Sequence, residues 1–99
     1  MSNETFGDYI RKARETMKLP LRKVAAHLDI DTSTLSKVER GDRPASPNYL
    51  KPFADILKLD LKEVQSKFIA DKINKDFGDM EHLTHGLKAA EQQIKKRKK

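Results

Sequence analysis

Residues 20–41 read Pro-Leu-Arg-Lys-Val-Ala-Ala-His-Leu-Asp-Ile-Asp-Thr-Ser-Thr-Leu-Ser-Lys-Val-Glu-Arg-Gly. Leu21, Val24, Ala25 and Leu28 recur at the spacing of one helix face. Asp29-Ile30-Asp31 interrupts the pattern. Asp31 is placed to cap a second short helix, because its carboxylate can accept the unpaired N–H groups of the first turn. Leu35 and Val38 give that helix its inner face, and Gly41 ends it, since glycine tolerates the left-handed backbone at a helix C-terminus. Two short helices joined by a tight turn make a helix-turn-helix.

The outer face of the second helix carries Thr32, Ser33, Ser36, Lys37 and Arg40. These side chains are small or cationic, can hydrogen-bond, and hold no bulk that would keep the helix off another surface. Such a face suits a DNA major groove. It equally suits the solvated side of an ordinary helical domain, and periodicity alone does not separate the two.

Residues 25–41, with Val24 and Ser46, resemble the helix-turn-helix of the phage-repressor/Cro family, also called the XRE family. The family pattern runs Leu-Ala-x-x-Leu-Gly-Val-Ser-x-Ser-x-Ile-Ser-x-Ile-Glu-Arg-Gly, with a Ser opening the next helix. Val24-Ala25, Leu28, Ile30, Asp31, Ser33, Leu35, Ser36, Val38, Glu39-Arg40-Gly41 and Ser46 match it. The resemblance covers roughly residues 6 to 60 and implies an all-α, five-helix DNA-binding domain. It implies a salt bridge between Arg14 and Glu39 under the recognition helix and a phosphate contact from Arg43 in the loop after it, and the chemistry of the outer face makes Thr32, Ser33 and Lys37 the expected readers of base edges. Arg22, Ser36 and Arg40 would join Arg43 on phosphates. Two positions depart from the pattern. Leu21 stands where the family often has a Gln that contacts DNA, and Asp29 stands where it often has Gly. Asp tolerates the left-handed region better than most residues, but Asp29 and Asp31 bring negative charge towards the DNA.

The flanks fill in the domain. A first helix is expected over residues 5–18, with Thr5 as cap, Asp8 three positions on, and Phe6, Ile10, Ala13 and Met17 facing the core. Ser46-Pro47 reads as a helix start. Leu50, Phe53, Ala54 and Leu57 give a fourth stripe, and Pro52 predicts either a kink or a start later than Pro47. Asp60 and Glu63 resemble a capping box for a fifth helix over residues 61–77. Its apolar set, Leu61, Val64, Phe68, Ile69, Ile73 and Phe77, is too broad for one small core, so part of it is expected against another subunit.

Beyond Gly78-Asp79, the residues Met80, Leu83, Leu87, Ala90 and Ile94 advance by alternating steps of three and four, the seam of a coiled coil or helical hairpin. Two heptads are too short to stand alone. The expected organisation is therefore a DNA-binding domain at residues 1–60, C-terminal helices at 61–94 serving dimerisation through Phe68, Met80, Leu83, Leu87 and Ile94, and a basic tail at 95–99. The alternative use of those helices is to bind a protein, as antitoxins and adaptors do.

Composition narrows the function. The net charge is +6, but the last five residues are all Lys or Arg. Without them the remaining cations nearly balance 15 acidic residues. Overall charge is thus weak evidence for DNA binding, and the local set Arg22, Lys23, Lys37, Arg40 and Arg43 carries the argument. There is no cysteine for a disulfide or thiolate metal site. The N-terminus carries no signal-peptide pattern and no stretch has the length and apolarity to span a membrane, so a cytoplasmic location is expected. Asp79, Glu81, His82 and His85 do not make a closed ligand set, so no metal and no cofactor are expected. No nucleophile–base set or phosphate loop suggests an enzyme. The expected function is a transcriptional regulator that binds double-stranded DNA at a palindromic operator as a homodimer.

Overall fold

The computed structural model describes residues 4–98, and among them every regular element is helical. The helices are α1 (Phe6–Thr16), α2 (Leu21–Leu28), α3 (Thr32–Arg40), α4 (Leu50–Leu57), α5 (Leu61–Phe77) and α6 (Leu83–Arg97), with a 3-10 turn at Pro47–Tyr49 before α4. Lys99, the last residue of the basic run, lies outside the described residues.

Local chemistry sets the boundaries. Thr5 and Asp8 form a reciprocal capping box at α1: the Thr5 Oγ1 accepts from the Asp8 N–H, and Asp8 Oδ2 accepts from the Thr5 N–H. Four segments end on one left-handed residue, Lys18 after α1, Asp29 after α2, Gly41 after α3 and Lys58 after α4. The residue that follows donates back into the helix, as Leu19 does to Arg14, Ile30 to Ala25, Asp42 to Lys37 and Leu59 to Ala54. This is the Schellman closure, which usually adds an apolar contact from that same residue. Leu19, Ile30 and Leu59 do pack on the core. At the end of α3 the equivalent residue is Asp42, which stays in solvent.

Ser46 caps the 3-10 turn rather than an α-helix, and α4 begins only at Leu50. Pro52 then falls within the first turn, where a backbone N–H has no helical partner to lose, so α4 accommodates it. Asp60 does precede α5, but its side chain makes no capping bond. The expected box with Glu63 does not form, because Glu63 Oε1 instead accepts a 2.7 Å hydrogen bond from the Tyr9 hydroxyl of α1. Burial and this bond push the Tyr9 hydroxyl pKa well above its usual value.

The core is built from α1 to α5: Ile10, Val24, Leu35, Phe53 and Val64 are completely enclosed. α3 packs on α1 and α2, while α4 lies between α2 and α5. The first half of α5 belongs to this core through Leu61, Val64 and Phe68. Phe68, expected at a subunit interface, sets its ring edge-on to Phe6 with centroids 5.5 Å apart.

The C-terminal part departs from the expected seam. Met80 lies in the turn before α6, so the helical register starts at Leu83. α6 continues through Lys95, Lys96 and Arg97, where cations in the last turn favour the negative end of the helix dipole. No residue of α6 is buried. The Cα radius of gyration is 15.1 Å, against about 13 Å for a compact chain of this length, because α6 lies outside the core.

Candidate nucleic-acid interface

The position of α3 is set by one ion pair and one glycine. Arg14 of α1 donates from Nε to Glu39 Oε2 at 2.7 Å and from Nη2 to Glu39 Oε1 at 3.0 Å. Its Nη1 donates to the Leu19 carbonyl at 2.9 Å. Only 5% of the Glu39 side chain and 13% of the Arg14 side chain are exposed. A two-pronged pair of this kind fixes orientation as well as distance, and the Glu39 contact raises the Arg14 pKa further. On the opposite side of the same junction, Gly7 is buried beneath the end of α3. A Cβ there would overlap the carbonyl oxygens of Val38 and Glu39. Glycine thus permits a helix approach closer than any other residue allows.

With Leu35, Val38 and Glu39 turned inward, Thr32, Ser33, Lys37 and Arg40 are left exposed along α3, and Ser36 is half-buried. Asp31 accepts the Thr34 N–H at 2.7 Å and caps the helix. That hydrogen bond holds its carboxyl below the usual range, with Lys37 and Arg43 adding to the effect. Both cations therefore sit close enough to the start of the helix to act on it electrostatically.

Arg22 and Lys23 are exposed in the first turn of α2. This helix begins after Pro20 with no side-chain cap and no acidic residue in its first turn. The positive end of its dipole is left uncompensated, a favourable setting for an anion. Arg43 is exposed in the loop after α3. Arg40 is already engaged: its Nη1 donates to Ser36 Oγ at 2.9 Å and its Nε to Asp42 Oδ2 at 3.0 Å. A phosphate at Arg40 would have to share it with Asp42. The surface thus presents five cations, Arg22, Lys23, Lys37, Arg40 and Arg43, against Asp29, Asp31 and Asp42.

His27 is exposed on α2. His82 and His85 face each other edge-on, 5.9 Å between ring centroids. No group of three possible metal ligands occurs among the described residues, and no described helix is long and apolar enough to cross a membrane.

Three participants escaped the sequence reading: Gly7, Asp42 and the Tyr9–Glu63 bond. An isolated glycine inside the helical stripe of α1 was a usable signal for Gly7. Nothing local marks Asp42 or Tyr9. Comparison with known families finds that a model described as a helix-turn-helix domain matches residues 5–66, more than half of the chain. No curated protein matches the chain.

Proposed function

The chain belongs to the helix-turn-helix domain family, and on that premise we propose that it is a transcriptional regulator of the XRE type that binds a palindromic operator as a homodimer. The observation that carries this reading is the division of α3. Its inner face is locked by Arg14–Glu39, and its outer face is an exposed row of Thr32, Ser33 and Lys37. A rigidly held helix with short hydrogen-bonding side chains can enter the major groove without losing its own order. Thr32, Ser33 and Lys37 read base edges, with Lys37 favouring the guanine acceptors. Arg22, Ser36, Arg40 and Arg43 hold phosphates and set the register.

The dimer reading draws on apolar surface that the monomer leaves uncovered. Ile69, Phe77, Met80, Leu87 and Ile94 are each 41% to 62% exposed. Ile69 and Ile73 of α5 line a shallow groove with Leu87 of α6. An exposed apolar groove of this kind fits an interaction surface. Leu83, Leu87 and Ile94 of α6 with Met80 would meet their counterparts across a two-fold axis, while Phe68 would contribute from below, where it joins the core. The same row supports the second reading, in which a protein partner covers it.

Selection of bound sequences from random duplex DNA, at near-physiological salt, tests the proposal. A palindrome with half-sites separated by about one helical turn, ~34 Å, is expected. Failure of the folded protein to enrich any motif refutes it. Lys37→Ala is expected to weaken the selected site by about 1–3 kcal/mol, the usual worth of a good base contact. Removal of residues 79–99 is expected to weaken self-association in sedimentation, and an unchanged dimer would assign the interface elsewhere.

A further inference from the structure

Beside the loop that follows α3 lies a cleft of about 540 Å³. Phe6, Val38 and Phe68 line it, with Arg43 and Pro44 contributed by the loop and Pro47 by the 3-10 turn. α5 closes the far side. Its volume falls within the usual range of small-molecule sites, about 300–1,000 Å³, and it joins an apolar floor to charged side chains from the loop and from α5.

The charges select the ligand. On the α5 side, Lys75 pairs with Asp71 at 3.2 Å and Lys72 with Asp76 at 3.8 Å. These four side chains neutralise one another within their own helix. The ion pairs formed among the described residues leave Arg43 out, so with the α5 charges cancelled the cleft lining keeps one net positive charge, that of Arg43. The walls select the body of the ligand. Phe6 is buried, but the Phe68 ring, set at 81° to it, is only partly buried and can receive a further ring in edge-to-face contact. An apolar floor with an aromatic wall, and one net positive charge supplied by Arg43, is complementary to one small aromatic carboxylate or sulfonate.

Resting on the DNA-binding reading above, we propose that this cleft is an effector site for a small aromatic anion, and that its occupant withdraws Arg43 from the DNA backbone. The loop is suited to such a movement. Among the described residues, no hydrogen bond ties Arg43, Pro44 or Ala45 to another backbone group. A bound anion engages the guanidinium with charge-assisted hydrogen bonds and places it over the cleft. The phosphate that Arg43 would hold is then lost. Linkage makes the effect reciprocal: DNA lowers affinity for the anion by the same factor that the anion lowers affinity for DNA.

The full chain is titrated with 8-anilinonaphthalene-1-sulfonate, an aromatic sulfonate whose fluorescence reports an apolar site, and separately with a labelled duplex read by anisotropy. Saturable dye binding is expected, weakened about tenfold by Arg43→Gln, the usual consequence of deleting one charge-assisted contact. The dye should also weaken duplex binding by wild type but not by the Arg43→Gln variant. Dye binding that Arg43→Gln leaves intact overturns the proposal. So does a titration weakened by Leu87→Ser and untouched by Arg43→Gln, which assigns the dye to the α5–α6 row. Dye binding that disappears as protein concentration rises also overturns it, because a second copy then covers the cleft. Duplex binding without dye reports on the DNA reading alone, so failure of that reading is seen separately.

Discussion

Replacing Glu39 with glutamine removes one negative charge from the junction that orients α3 while keeping the side chain's shape. In the wild type, both Glu39 oxygens accept from Arg14, at 2.7 and 3.0 Å, with 5% of the Glu39 side chain exposed. The glutamine carbonyl can keep one of these bonds as a neutral acceptor, but its NH2 then faces a guanidinium N–H and meets another donor. Breaking a buried pair by altering one partner costs about 3–5 kcal/mol. Here the retained bond, the Leu19 carbonyl and the 13% exposure of Arg14 bring the expectation to the lower end, about 3 kcal/mol. That is a large share of the ~5–15 kcal/mol available to a typical domain. It corresponds to a fall in Tm of about 12 °C or more. Urea unfolding followed by circular dichroism measures the loss directly. The double variant Arg14→Met with Glu39→Leu, which removes both charges, should recover most of it. A loss below about 1 kcal/mol for Glu39→Gln, with unchanged dependence on urea, would falsify the claim that this pair anchors the recognition helix.

Four other outcomes follow from the same geometry. Gly7→Ala should destabilise by about 2 kcal/mol in urea unfolding, although alanine favours helix by ~1 kcal/mol, because its Cβ has only the backbone carbonyls of Val38 and Glu39 to displace; a stabilised variant would show that α1 and α3 can separate freely. Lys58→Gly should stabilise by about 1 kcal/mol, since Lys58 holds a φ of 54° that glycine adopts without strain. Asp29→Gly, at a φ of 59°, should stabilise less but also tighten duplex binding through loss of a carboxylate; equal affinities of the Asp29→Gly and Lys58→Gly variants would remove Asp29 from the DNA-facing surface. In acid, the N–H groups of Thr5 and Thr34 hold the Asp8 and Asp31 carboxyls below 3.8 in the folded chain. The unfolded chain therefore binds protons first. The contribution of these caps is complete above the ordinary aspartate pKa and disappears as pH falls through the lower folded values. Urea midpoints should be level down to about pH 5 and fall modestly below about pH 4, with a shallower fall in the Asp8→Asn variant.

Most of the architecture is legible in the sequence because it rests on short-range chemistry. The caps at Thr5 and Asp31 and the closure at Gly41 depend on residues within a few positions of one another. The bounds of α2 and α3 follow the apolar spacing directly. The same reasoning misjudged Glu63, because the capping box at Asp60 competes with a tyrosine that is 54 positions away. It also extended the α6 register back to Met80, where the turn after Gly78 uses the chain differently. The outer face of α3 was readable as a set of residue types. That Arg40 is held by Ser36 and Asp42, while Arg43 lines a cleft, was not.

By itself the sequence determined the helices, the ends of α1 to α3 and the identity of the helix-turn-helix, since hydrogen bonds over three or four residues and a repeating apolar face are written in neighbouring positions. Only the tertiary structure decided how closely α1 approaches α3 over Gly7, how Phe68 is divided between core and surface, and where an aromatic-walled cleft opens beside Arg43. Each of these is a meeting of side chains distant in sequence, and their spacing is set by packing rather than by any local pattern.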